Sequence, residues 1–159
     1  MSRERAHFQA VINLPFGNVG ISLQQGKLSG VAYLDDDAAS YVEEVPGISR
    51  ILQAIEDYLS DAKCRFDLDL LLRGTPYQKR VWRALQSIPA GETLTYGELA
   101  ARIGSGARAV GNACRTNPCP LVIPCHRVVA ANGLGGFAGE RSGRKLEIKR
   151  WLLRHEGRL

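Results

Sequence analysis

The sequence predicts an α+β protein in two parts: a small sheet with a covering helix over residues 1–70, and a mainly helical unit containing a helix-turn-helix over residues 71–159. Three observations predict it. Short apolar segments separated by turn residues fill the first part, whereas the second has apolar residues at helical spacing behind capping residues. Charge divides along the same line. Residues 1–68 hold 6 Lys+Arg and 10 Asp+Glu, a net −4, and residues 69–159 hold 15 and 6, a net +9. That asymmetry points to a polyanion-facing half carried by an acidic one.

With 159 residues the chain can bury one ordinary core or two small domains leaning on each other. At 45% hydrophobic and 23% charged residues it is globular rather than disordered. No apolar stretch approaches a membrane span and the N-terminus lacks an apolar signal region, so no membrane association and a cytoplasmic location are expected. Cys64, Cys114, Cys119 and Cys125 are then expected as thiols rather than a disulfide frame.

Residues 1–9 are polar. Residues 10–14, 19–23 and 28–34 read as strands of an antiparallel meander, separated by Pro15-Phe16-Gly17-Asn18 and Gln25-Gly26. Asp35-Asp36-Asp37 ends it as a solvated loop. Ile48, Ile51, Leu52, Ile55, Tyr58 and Leu59 have the spacing of an amphipathic helix over 48–59, placed to cover the sheet. Alternating Phe66, Leu68 and Leu70 predict a further strand over 64–70. Nothing in this half has the look of a reaction centre.

Past residue 74, Thr75 caps a helix opened by Pro76, with Tyr77, Val81, Trp82, Leu85 and Ile88 as its apolar stripe and Pro89-Ala90-Gly91 as its stop. Thr95 and Glu98 form the sequence signature of a capping box, with Leu99 and Ile103 pointing inward. After Gly104-Ser105-Gly106, residues 107–114 form a short helix of small residues bearing Arg108. The pair resembles a helix-turn-helix. Low relief suits close approach to a groove, and equally close packing inside a helical domain. Residues 131–139 are a glycine-rich loop. Residues 144–155 form a last helix with Ile148, Trp151, Leu152 and His155 inward, and Glu156 lies at its end.

The chemistry concentrates in residues 117–129. Pro118, Pro120 and Pro124 make this a stiff, non-helical stretch that delivers Cys125, His126 and Arg127. A thiol held beside an imidazole is a candidate nucleophile; the plainer alternative is a buried cysteine beside a solvated His-Arg pair. In an extended segment His126 would face away from Cys125, reaching it through a water unless the backbone turns. Glu156 can orient the imidazole, since a carboxylate at a helix C-terminus opposes the dipole unless it has a partner. Arg127 can lower the thiol pKa or pair with a carboxylate. The spacings of Cys114, Cys119, Cys125 and His126 fit no compact zinc pattern, so no metal is expected.

Gly74-Thr75-Pro76-Tyr77-Gln78, Val81-Trp82, Ile88-Pro89-Ala90-Gly91, Thr95-Tyr96-Gly97-Glu98-Leu99-Ala100, Arg108-Ala109-Val110-Gly111, Asn117-Pro118, the run from Ile123 through Pro124-Cys125-His126-Arg127 to Val129, and Trp151 to Gly157 occur in order. Together they resemble the O6-alkylguanine-DNA alkyltransferase (methylated-DNA–protein-cysteine methyltransferase) family over nearly all of residues 74–157. The resemblance implies a ribonuclease H-like N-terminal domain and a winged-helix-like C-terminal one. It implies direct-reversal repair of double-stranded DNA containing O6-alkylguanine by a single-turnover monomer that can cluster on DNA, with no cofactor. Cys125 would accept the alkyl group irreversibly, with His126 and Glu156 relaying its proton through a water and Asn117 tying the active-site turn together. Tyr96 would crowd the flipped nucleotide and protonate guanine N3, and Arg108 would enter the stack in place of the extruded base. Thr75, Ala107 and Gly111 would meet DNA, and Phe137, Ala138 and Val128 would line the substrate pocket. Arg80, Arg83, Arg102, Arg115, Arg141 and Lys145 are candidates for phosphate contacts.

Two features depart from the family pattern: Glu140 follows Phe137-Ala138-Gly139 where a glycine is usual, and residues 141–145 are extra. A non-catalytic binder of alkylated DNA is the nearest rival, opposed by Cys125 at the acceptor position. A Cys-His hydrolase using Glu156 is more distant.

Overall fold

The computed structural model describes residues 7–135 and 143–159. Strands β1 (Ala10–Leu14), β2 (Gly17–Gln24) and β3 (Lys27–Leu34) form the predicted meander, and β4 (Tyr41–Val42) pairs with the other side of β1. The sheet order is β3-β2-β1-β4, antiparallel throughout. Gln25 and Gly26 both have positive φ, 55° and 73°, as a tight hairpin turn demands. The first turn is shorter than expected, because Gly17 and Asn18 already pair with β1. Asn18 is a buried polar residue inside a strand. Its amide compensates by donating to the carbonyls of Asp35, Asp36 and Ala38, which pins the acidic loop.

Helix α1 (Ile48–Ser60) buries Ile48, Ile51, Ile55 and Tyr58, which join Ala10, Val19 and Ile21 of the sheet in one hydrophobic cluster. The strand expected over 64–70 is absent. A single parallel bridge joins Leu70 to Leu28, and Phe66 instead meets the Tyr58 ring at 5.2 Å. The period-two alternation reports a half-buried extended segment, and alternation alone does not supply a second ladder of backbone partners.

Helix α2 (Pro76–Gln86) opens with a full capping box between Thr75 and Gln78, and α3 (Tyr96–Ile103) with one between Thr95 and Glu98. Ile88 lies past the end of α2, buried in the turn that follows. Gly104, in the left-handed region at φ 65°, ends α3 and leads to α4 (Ala107–Arg115). The Trp82 indole donates to the Ala113 carbonyl at 2.9 Å, locking α2 to α4. Short strands β5 (Leu94–Thr95) and β6 (Val128–Val129) pair in parallel and set Tyr96 beside the chain leaving Cys125. Helix α5 (Arg144–His155) closes the fold. Its buried set is Leu146, Ile148, Lys149, Leu152 and Leu153, with Trp151 and His155 only half-buried, so the predicted stripe is rotated. The two halves are sewn together. Val31 N–H donates to Pro118 at 2.9 Å, Phe16 meets Trp151 at 5.0 Å, and Arg144 pairs with Asp36. Among the described residues no helix is long and apolar enough to cross a membrane.

Candidate active site

The approach to Cys125 is a wound, strained turn. Leu121 is buried with φ 77°, an unfavourable region for a non-glycine residue, so its surroundings hold it there. Pro124, at φ −80° and ψ 66°, centres an inverse γ-turn closed by Cys125 N–H to the Ile123 carbonyl at 2.8 Å. Asn117 secures the same turn twice: its amide donates to that Ile123 carbonyl at 2.8 Å and its oxygen accepts from Cys119 N–H at 3.0 Å. Residues Cys125–Arg127 then form one turn of 3-10 helix. The extended backbone expected at Cys125 is therefore absent, because three prolines break up strand pairing and the chain curls instead. The opposite-face argument for His126 does not apply.

Cys125 is 7% exposed and lines a cavity of about 190 Å³ opening to the surface, together with Val31, Ala32, Tyr33, Cys114 and Asn117. Burial pushes its pKa up, and hydrogen bonding from Asn117 and the Lys149 charge only partly oppose this. The resting group is thus a thiol that needs a base. A larger groove of about 650 Å³ lies on the reverse of the turn, against Phe66, Pro124 and Arg127, and does not include Cys125.

His126 is fully buried. Its Nε2 meets Glu156 Oε2 at 2.7 Å, so that nitrogen carries the proton. Nδ1 is buried and has no hydrogen-bond partner among the described residues. Burial lowers the imidazole pKa more than Glu156 raises it, leaving a neutral ring whose Nδ1 lone pair can take a proton. Arg127 does not act on the thiol. It grips Glu156 with two hydrogen bonds, Nε to Oε1 at 2.8 Å and Nη2 to Oε2 at 3.0 Å, and donates to the Ile88 carbonyl. Burial alone would raise the Glu156 pKa, but His126 and Arg127 hold it down at about 2. The cost of a carboxylate at a helix C-terminus is thus met by buried partners.

Sequence reasoning missed three contributors. Lys149 is fully buried, donates to the Val128 carbonyl at 2.8 Å, and is brought down by burial to about 8. A lysine at the Leu146–Leu153 spacing of an apolar stripe is the signal that could have found it. Tyr33 of β3 reaches the Cys125 cavity, and Tyr58 of α1 donates to Glu156 Oε2 at 2.6 Å. The half in which nothing has the look of a reaction centre thus brings one tyrosine to the Cys125 cavity and another to Glu156. Both tyrosines look like ordinary sheet and helix core residues until the halves are assembled.

Residues 76–158, more than half the chain, match the family described as 6-O-methylguanine DNA methyltransferase, DNA binding domain. The chain belongs to this family. It is 33% identical to the constitutive methylated-DNA–protein-cysteine methyltransferase of Bacillus subtilis (strain 168), covering 94% of this chain and 95% of that protein. To the corresponding methyltransferase of Methanosarcina acetivorans it is 38% identical, covering 94% and 98%. Among solved structures it is similar to the Mycobacterium tuberculosis OGT in complex with DNA, with a TM-score of 0.77 and 37% identity over 93% of this chain and 92% of that one.

In this family member Cys125, His126, Glu156 and Asn117 converge, and Tyr96 is half-buried beside them. Burial first, then the nearby thiols Cys114 and Cys125, raise the Tyr96 phenol to about 12. Ala107, Arg108 and Ala109 lie exposed along α4, and a side-chain carbon on Gly111 would meet open space, so the small face is turned outward rather than packed. Thr75, Arg80, Arg83, Arg102 and Arg115 are exposed, and Lys145 is half-buried at the cavity mouth. The Val128 side chain is fully buried in the core, and its carbonyl is engaged by Lys149. Phe137, Ala138, Glu140 and Arg141 lie outside the described residues. Among those described, no group of three or more His, Cys, Asp or Glu is arranged to hold a metal ion.

Proposed function

We propose that Cys125 is the acceptor and that His126, Glu156, Asn117 and Tyr96 make its reaction possible; one observation carries the reading, a buried thiol lining an open cavity and followed directly in the chain by a buried imidazole–carboxylate pair. The protein is a direct-reversal DNA repair alkyltransferase that acts on double-stranded DNA containing O6-alkylguanine. O6 is concealed in a base pair, so the nucleotide must be flipped into the pocket. His126 Nδ1 takes the thiol proton through a water, while Glu156 steadies the imidazolium that forms. The sulfur attacks the alkyl carbon in line, the carbon–O6 bond breaks, and its electron pair stays on the purine. Tyr96, a neutral phenol at neutral pH, donates a proton to guanine N3 as the purine becomes the leaving group. The Lys149 charge favours the developing thiolate. The thioether formed is inert, so each molecule acts once.

The exposed small-residue face of α4 supports close contact with a groove, and Arg108 at its start supports entry into the base stack. The basic arginines around it supply phosphate contacts. We place the domain boundary near residue 70, between the sheet-plus-helix unit and the start of α2, and assign the protein to the cytoplasm. Arg108→Ala tests the finger. Transfer from duplex DNA should slow by about tenfold or more, since unstacking costs a few kcal/mol, while transfer from a free alkylated base stays near wild type. Equal losses on both substrates would remove Arg108 from extrusion.

A further inference from the structure

We propose that Tyr58 of α1 is a positioning residue for alkyl transfer, its hydroxyl holding Glu156 in the state on which His126 depends. The inference rests on the relay reading of His126 and Glu156. The Tyr58 hydroxyl donates to Glu156 Oε2 at 2.6 Å, inside the core. That same oxygen accepts from His126 Nε2 at 2.7 Å and Arg127 Nη2 at 3.0 Å, whereas among the described residues Oε1 accepts from Arg127 Nε alone, at 2.8 Å. Three donors therefore converge on the oxygen that serves the imidazole, and one comes from the other half of the chain.

Tyr58 is fixed independently of that bond. Its carbonyl meets His155 Nε2 at 2.8 Å, and its ring packs edge-on against His155 at 5.0 Å and tilted against Phe66 at 5.2 Å. Neighbouring residues His155 and Glu156 both grasp it, so the end of α5 is seated on α1. The groups facing Glu156 are Tyr58 from α1 and His126 and Arg127 from the 3-10 turn. Behind them, Lys149 acts on His126 and Tyr33 on Tyr58. Burial and then the Glu156 charge keep the Tyr58 phenol far above its ordinary value, so it remains a neutral donor.

The sign of its effect follows. A donor on Oε2 spreads the carboxylate charge and makes that oxygen a weaker partner for a protonated ring. Without it Glu156 would favour the imidazolium more strongly, and His126 would become protonated at a higher pH, losing its function as a base. Tyr58→Phe deletes the hydroxyl and keeps both ring contacts. Its single-turnover methyl transfer, measured against pH, should have an acid limb moved up by about one unit, about tenfold slower on that limb, with DNA affinity unchanged.

A folded Tyr58→Phe protein whose profile overlays wild type, even at a lower Tm, would make Tyr58 merely structural. Should that variant not fold, difluorotyrosine at position 58 keeps ring and hydroxyl and donates more strongly. The acid limb should then move down, and an unmoved limb would overturn the proposal. Glu156→Gln measured in parallel separates the two ideas. If it transfers at the wild-type rate, the relay itself fails and Tyr58 with it; if it is slow while Tyr58→Phe is wild type, only the role of Tyr58 falls.

Discussion

Cys125→Ser protein is expected to bind O6-methylguanine duplex as wild type does and to transfer at least about 10⁴-fold more slowly, in line with the loss of a nucleophile elsewhere. The thiol lies at the floor of a cavity and is only 7% exposed, so replacing sulfur by oxygen leaves the DNA-facing surface as it was. The difference is chemical. A serine hydroxyl is far less acidic than a thiol, and its oxygen is a poorer nucleophile toward an alkyl carbon. Neither the His126–Glu156 pair nor the Lys149 charge closes that gap. A gel-shift titration alongside single-turnover transfer checks both halves. Weakened binding with a matching loss of transfer would place Cys125 in recognition rather than chemistry.

Glu156→Gln should lose both stability and rate. Its carboxylate is fully enclosed and accepts from Tyr58, His126 and two nitrogens of Arg127. Removing the charge leaves the largely enclosed Arg127, its side chain 11% exposed, without its counter-ion, at a cost of about 3 kcal/mol. The pH dependence carries the same signature. Glu156 titrates at about 2 when folded against a reference value of 4.5, so the folded state favours its ionised form. Its contribution, about 3 kcal/mol from that difference, is fully present above pH 4.5 and is lost as pH falls through 2. Acid unfolding of wild type should therefore steepen across that window, and Glu156→Gln should lack this component. Transfer should slow on the order of 10²-fold as the imidazole loses its orienting partner. Denaturant melts from pH 7 to 2 and single-turnover rates supply both measurements. An acid profile shared by the two proteins would break the assigned pairing.

Much of this was legible in the residues because local chemistry dictated it. The capping of α2 and α3, the meander and the span of α5 depend on neighbours a few positions apart, and each formed as its spacing required. The family's ordered motifs likewise marked Cys125, His126 and Glu156. What escaped depends on contacts distant in sequence. Alternation over 64–70 could not reveal that Phe66 packs on Tyr58, and the two-residue β4 has too little pattern to read. The curl at Cys125 follows from how three prolines, a buried Leu121 of positive φ and the Asn117 side chain fit together. Lys149 sits at the spacing of an apolar stripe, but only the assembled core shows that its amine donates to the Val128 carbonyl. Tyr58 is 98 residues from the carboxylate it holds.

The central claim is an irreversible transfer of carbon to one sulfur, and peptide mass spectrometry after incubation with excess O6-methylguanine DNA tests it most directly. The prediction is one methyl group per chain, located on Cys125 in the peptide that also contains His126, with repair ceasing once every molecule is modified. An unmodified Cys125 in protein that has repaired the DNA, or repair continuing beyond one lesion per chain, would contradict it.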